Sequence, residues 1–392
     1  MGRLKAAPTT SNIHHQALPL ELAAHRMARL PDERGPPQGG LYVEGRVKQP
    51  WLGLVASAIA IVVALAFISL FDFPTFAGPV AFYMLCTIPF QVMAVVIWGA
   101  NPSFVAKLSQ PAKGLVLLVV TLVAGAIIDP FALRVVGEGI SPPGPIPSHF
   151  AVIVVPTTFW LAIMWGGWPF KLFGSDPKMA GAMLLAGAYV LTWVIFRVFF
   201  NYEFMEGAPV YLASAPHGLF NAVSSLVFYV TALAVMFLVL CFDLWPLTKA
   251  PSVMQQPALG LVWTIICAAG AWVVMQVTVS AMGMDPMVVL TRITAPFIFG
   301  SILVLNMFQN SLFAKFAQPV KGVLNAVTAA VLGLALFMVY CLVAPYVSGQ
   351  LTSGPPAYDF EIWIANALLS VTFPFLIFLA AYFAYWPLKK AE

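Results

Sequence analysis

Ten stretches of about 17 to 25 residues in this chain are so apolar that none can form the surface of a soluble domain. Their approximate limits are 50–71, 78–99, 112–128, 149–167, 179–200, 219–243, 258–280, 287–308, 320–344 and 361–386. In hydrocarbon every backbone N–H and C=O must be paired inside its own segment, so runs of this length are read as membrane-spanning helices. The remaining composition agrees: 61% of the 392 residues are hydrophobic, 9% are charged, and the mean hydropathy is +0.91. A soluble surface needs about a quarter of its residues charged. The chain is an all-α polytopic membrane protein whose first partner is the lipid bilayer, and its net charge of +4 gives no reason to invoke nucleic acid.

Lysine and arginine orient the spans. Seven lie before residue 49, and Lys107, Lys113, Lys171, Lys178, Lys249, Lys315 and Lys321 follow spans 2, 4, 6 and 8, with Lys389 and Lys390 at the C-terminus. Asp72, Asp129, Glu138, Glu203, Glu206, Asp285, Asp359 and Glu361 collect on the opposite face. The positive-inside rule then puts both termini in the cytoplasm of a bacterial inner membrane. Residues 1–48 are polar and proline-bearing, lack the apolar core of a signal peptide, and read as a mostly disordered cytoplasmic tail. Residues 49–388 form the ten-helix domain.

A short signal recurs within it. VAKLSQPAKG at 105–114 and FAKFAQPVKG at 313–322 share six of ten residues, and every odd-numbered span opens in the same manner: KQPWLG at 48, SQPAKG at 109, SDPKMAG at 175, QQPALG at 255 and AQPVKG at 317. Proline suits a first helical turn because its missing N–H would be unpaired there, and Gln, Asp or Ser before it can cap. Even spans close with Trp and Pro (WGANP, WGGWP, LWP, YWP), an interfacial anchor and a stop, whereas span 8 ends MFQNS. Pro89, Pro156 and Pro374 stand 13 residues before Pro102, Pro169 and Pro387, and Pro296 stands 13 before Gln309; span 6 has Leu233 at that place. These marks divide the chain into five parallel two-helix hairpins, about 49–102, 110–169, 176–246, 256–310 and 318–387. A two-span unit returns to its starting side, so copies in one orientation relate most simply by rotation about the membrane normal, and a pseudo-five-fold ring around a central axis is the expected arrangement. In plan this resembles tellurite-resistance proteins and plant guard-cell anion channels, which have ten spans in five hairpins around a pore with proline-kinked inner helices; the resemblance implies a pore, and no sequence motif is shared. Here the prolines mark the second helix of each hairpin.

A mid-span proline frees the carbonyl four residues earlier, which in lipid calls for a hydroxyl, a neighbouring helix or a water-lined cavity. Pro89 with Phe90, Pro156 with Thr157, Pro296 with Phe297 and Pro374 with Phe375 are therefore candidate lining residues of a central path, joined by Phe159, Thr291 and Thr294. The competing reading is that these spans merely bend around their partners. Arg292, five residues inside span 8, is costly there unless paired or hydrated. It either faces an outer cavity as an anion or carboxylate site, or snorkels to the outer interface or pairs with Asp285 or Glu361. His149, His217, Asp285 and Glu361 are candidates for an outer mouth.

No HxxH or CxxC spacing exists, Cys86, Cys241, Cys267 and Cys341 all lie in or beside apolar runs, and no histidine is deep enough for haem, so neither metal nor cofactor is expected. No catalytic constellation appears, and the loops are too short for a soluble catalytic domain. The expected function is a channel or facilitator for a small solute, with an anion preference resting on Arg292 alone. The alternative is a membrane-integral subunit anchoring redox or catalytic partners. A homo-oligomer or partner membrane subunits fit either reading.

Overall fold

A computed structural model describes residues 48–173 and 176–388, so the N-terminal tail and Lys389 and Lys390 lie outside the described residues. Among the described residues ten helices are long and apolar enough to cross a membrane: α1 Trp51–Ile68, α2 Phe73–Val96, α3 Ala112–Val136, α4 Pro145–Met164, α5 Pro177–Phe199, α6 Ala222–Cys241, α7 Ala258–Ala281, α8 Pro286–Met307, α9 Val320–Ser348 and α10 Asp359–Tyr382. Two short strands, β1 Phe200–Asn201 and β2 Phe220–Asn221, pair in parallel on the acidic side. The expected limits hold to within a few residues except for α3. It runs eight residues further, so Asp129 and Pro130 belong to the helix and the loop begins at Gly137.

The even-numbered helices are the interior. In α2, α4, α8 and α10, 67–78% of the apolar window is buried, against 22–39% in the odd-numbered helices; α6 is intermediate at 44%. The even helices pack in the order α2, α4, α6, α8, α10 and back to α2. Each odd helix lies outside them and packs chiefly on two, α3 on α2 and α10 with a further contact to α4, α5 on α4 and α2, α7 on α6 and α4, α9 on α8 and α6, and α1 on α10 and α8. Small residues permit the closest crossings. A Cβ added at Gly300 of α8 would strike the Ala329 carbonyl of α9, and one at Gly333 of α9 would strike the Pro296 carbonyl.

The recurring Gln-Pro stretch is a joint with a specific hydrogen-bond pattern. The Gln side-chain carbonyl accepts from a glycine N–H four residues on: Gly53 N to Gln49 (3.2 Å), Gly114 N to Gln110 (3.3 Å), Gly260 N to Gln256 (3.1 Å) and Gly322 N to Gln318 (3.0 Å). Each therefore satisfies one of the N–H groups that a helix start leaves unpaired. The amide nitrogen reaches across to the end of an even helix, to Met307 O from Gln49 (3.0 Å), Tyr382 O from Gln110 (2.6 Å) and Met164 O from Gln256 (2.8 Å). Gln318 instead donates to the Asp243 carboxylate (2.9 Å), which also takes Lys321 Nζ (2.8 Å) and Asn310 Nδ2 (3.0 Å). At α5 the bond runs the other way, from Trp98 Nε1 to Pro177 O (3.0 Å).

Even helices end on two consecutive left-handed residues: Gly99 and Ala100, Gly166 and Gly167, Asp243 and Leu244, Gln309 and Asn310, Ala384 and Tyr385. This corrects one register. Gln309 corresponds to Gly99 and not to Pro102, so Pro296 lies one helical turn nearer the acidic side than the other kink prolines.

Candidate functional site

All four kink prolines are buried. The even helices other than α6 carry π-helical turns at 76–80, 160–164, 290–294, 303–307, 367–372 and 378–382. Those near a kink proline match the local unwinding that a missing i−4 hydrogen bond invites, while the turn at 76–80 contains Pro79 and the outer helix α7 has one at 276–281 without a proline. The nearby hydroxyls mostly link one helix to another. Thr157 Oγ1 meets Thr192 of α5 (2.9 Å) and Tyr229 of α6 (3.2 Å), Thr231 of α6 meets Thr294 of α8 (3.1 Å), and Tyr340 of α9 bonds Thr372 of α10. Thr291 donates to its own helix at Met287 O (2.8 Å).

The interior of the even helices is closed by phenylalanine. Phe159 of α4 packs edge-on against Phe237 of α6 (ring centroids 5.8 Å) and against Phe373 of α10 (5.9 Å). In the packing order α4 and α10 are separated by α2 on one side and by α6 and α8 on the other, so the second contact crosses the middle. The three rings are 5%, 5% and 3% exposed. Of the phenylalanines singled out beside the prolines, only Phe159 joins this closure. Phe90 turns to Trp98 (5.5 Å), Phe375 to Phe67 of α1 (5.8 Å), and Phe297 is half-buried.

Gln91, two residues after Pro89, was not foreseen as a candidate, although a glutamine in mid-span is a visible signal. It is fully buried; Nε2 donates to Pro374 O of α10 (3.0 Å), and Oε1 has no partner among the described residues. Phe237 and Phe373 left no such signal, being two of 31 phenylalanines.

The exposure of Arg292, within electrostatic reach of Cys341 on the outer helix α9, is consistent with snorkelling, and the pairing with Asp285 or Glu361 is not seen. Those carboxylates are engaged elsewhere: Asp285 accepts from Tyr358 Oη (2.7 Å), and buried Glu361 accepts from Ser353 Oγ (2.6 Å) and Gly354 N (3.1 Å). The bond to Asp285 pushes the Tyr358 phenol up to about 12.

The four outer-mouth candidates fall into two groups. Asp285 and Glu361 anchor the loop at 349–358. His149 lies under the loop that follows α5, its Nδ1 2.9 Å from Tyr202 Oη, and exposed His217 lies 3.3 Å from Glu203. That loop is pinned to the helices by Arg197, which donates to Ser214 O (2.7 Å), and by Glu138, which accepts from Ser214 N (2.7 Å). The second bond holds the Glu138 carboxyl below its ordinary value, and bonds from Asn201 and His217 do the same for Glu203.

A groove of about 780 Å³ opens on the outside of the even helices, between α5 and α7 and over α4 and α6. It is lined by Pro156, Trp160, Leu233, Met236 and Trp272, with Ser224, Ser225 and Gln276 at its acidic-side end. Comparison of the chain with protein-family models, with curated proteins and with solved structures finds no match.

Proposed function

We propose that this integral membrane protein is a channel or facilitator for a small solute, resting in a closed state, with Phe159, Phe237 and Phe373 as the closure. The observation that carries the reading is the closed packing order of five helices around those three rings, four of the helices carrying buried prolines in mid-span. We read the chain as five hairpins in pseudo-five-fold order. Support comes from the five helix ends with two left-handed residues and from the joints, in which each odd helix start meets the end of the even helix three spans earlier, counted cyclically. A bent helix can swing its lower half without breaking its upper contacts, and a few degrees of swing suffice to separate a pair of edge-on rings. The unpartnered Gln91 Oε1 offers an acceptor to a water or a solute donor. The anion preference is withdrawn, because its one support, Arg292, lies beside α9. The placement of both termini in the cytoplasm of a bacterial inner membrane continues to rest on the lysine distribution.

Proteoliposome flux of potassium, chloride, nitrate and urea tests this. Phe159→Ala and Phe237→Ala should raise the flux of at least one solute tenfold or more over the parent protein, about 1.4 kcal/mol of barrier, while Phe159→Trp stays closed. Folded variants as tight as protein-free vesicles would sink the proposal. That outcome would favour a membrane-integral subunit of a larger complex, a reading that the buried contact of the three rings also supports.

A further inference from the structure

We infer that the groove between α5 and α7 is a binding site for one acyl chain of a membrane lipid, entering from the leaflet on the acidic side. Its location fixes the solvent of any occupant: α5 and α7 are outer helices, and the groove lies between them within the apolar windows of four spans. No lining residue is charged. Of the polar lining groups, Thr264 near the start of α7 is bonded to Gly260 O and to the Trp160 and Trp165 indoles, and Tyr229 to Thr157, whereas Ser224, Ser225 and Gln276 lie where α6 begins and α7 ends, on one side of the membrane. Ser225 Oγ is used by Phe199 O (3.1 Å), whereas the Ser224 hydroxyl and the Gln276 amide make no side-chain hydrogen bond among the described residues. They are available to the ester or headgroup of an amphiphile.

The dimensions agree with one chain. Along α7 the lining extends from Thr264 to Gln276, which at 1.5 Å per residue is roughly 18 Å. One leaflet supplies about 15 Å of hydrocarbon depth. A transmembrane helix from a partner fits less well. Helix seams are built from Gly, Ala and Ser, which allow backbones to approach, whereas this groove is walled by Trp160, Phe199, Phe228, Trp272 and Met275. Large rings with flexible methionines suit a thin, adaptable chain.

The groove exists where the sequence pattern breaks. Leu233, standing where α2, α4 and α10 have proline, lines it, and α6 is the least buried even helix. Trp160 and Met236 of the lining are the chain neighbours of Phe159 and Phe237, so an occupant would lie directly behind two of the three closing rings. The binding claim stands whether or not the axis conducts.

The test uses the full chain in phosphatidylethanolamine and phosphatidylglycerol vesicles doped with a phosphatidylcholine carrying a mid-chain diazirine. After photolysis, peptides from α6 and α7 should be labelled in excess of those from the equally lipid-facing α3 and α9. Ala268→Trp, at an exposed lining position, should abolish the excess, and Val327→Trp, exposed on α9, should leave it intact. Should the tryptophan variant not elute as a monodisperse species, Ala268→Leu reads the same loss. Labelling spread evenly over the outer helices, labelling unchanged by filling the groove, or a co-purified polypeptide cross-linked there would each overturn the inference.

Discussion

Replacing Gln110 by alanine should loosen the seam between α3 and α10 by an amount that follows from the joint itself. Two hydrogen bonds disappear, Nε2 to Tyr382 O at 2.6 Å and Gly114 N to Oε1 at 3.3 Å, leaving a carbonyl and a helix-start N–H unpaired in a half-buried place. Hydrogen bonds between membrane helices average about 0.6 kcal/mol, and leaving a buried group unpaired costs about 1–3 kcal/mol. The expected loss is therefore about 1–3 kcal/mol for Gln110→Ala, and similar for Gln256→Ala, whose bonds are 2.8 and 3.1 Å. The two joints serve different helix pairs, so the double variant should lose close to the sum. Gln318→Ala should lose less, because Lys321 and Asn310 still hold Asp243. Gln110→Glu separates shape from bonding: it keeps the size but turns an acceptor toward the Tyr382 carbonyl, and should be no better than alanine. The apparent unfolding midpoint in one detergent, followed by tryptophan fluorescence, ranks the set. If Gln110→Ala and Gln256→Ala unfold with the parent protein, or if Gln318→Ala is the worst of the three, the joint is not what fastens these helices.

Four further outcomes follow from named contacts. Gly333→Val should destabilise by at least about 1–3 kcal/mol, because its Cβ would collide with the Pro296 carbonyl and separate α8 from α9; an unchanged midpoint would mean that the crossing is looser than described. Arg292→Ala should leave any solute flux unaltered, since the guanidinium lies beside α9, and a fall in flux would return that residue to the path. Glu138 has its carboxyl held below the ordinary 4.5 in the folded protein, so its hold on Ser214 is complete above that pH and is lost as pH falls through the lower folded value. Protease nicking of the loop at 203–217 should rise in that acid range, and Glu138→Gln should weaken the acid dependence. Tyr358 has the opposite sign: its phenol is raised to about 12 by Asp285, so its hold on the 349–358 loop is complete below the ordinary 10 and is lost as pH rises through about 12, as ultraviolet titration of wild type against Tyr358→Phe would show.

What the sequence disclosed and what it withheld divide along a physical line. Span number, limits and the alternation of lysine and acidic sides depend on solvation, which each segment meets by itself, and these were legible. So was the Gln-Pro joint, because a helix start needs a local partner for its N–H groups wherever the rest of the helix goes. Rotation about a helix axis is another matter. Phe90, Phe159 and Phe375 each follow a kink proline by one to three residues, yet only Phe159 points inward; at about 100° per residue, a shift of one position moves a side chain to a different neighbour. The register of span 8 was misaligned because it ends without the Trp-Pro mark, and only the left-handed residues Gln309 and Asn310 reveal the true end.

The exception at span 6 shows how a missing residue becomes a structural feature. With Leu233 in place of proline, α6 runs as one regular α-helix over Ala222–Cys241, without the π-helical turns of the other even helices. A helix that does not bend does not fold under its outer neighbours, and α6 is accordingly the least buried of the interior five. Leu233 and Met236, both buried, form the floor of the groove. Introducing the absent proline is then a decisive perturbation. Leu233→Pro should cost less than the ~3 kcal/mol of a proline in an ordinary helix interior, because neighbours in membrane bundles re-satisfy freed carbonyls, and it should bury more of α6 and close the groove. Retention of the excess lipid labelling in a folded Leu233→Pro protein would show that groove and kink are unrelated, and that the break in the pattern at span 6 has no structural consequence.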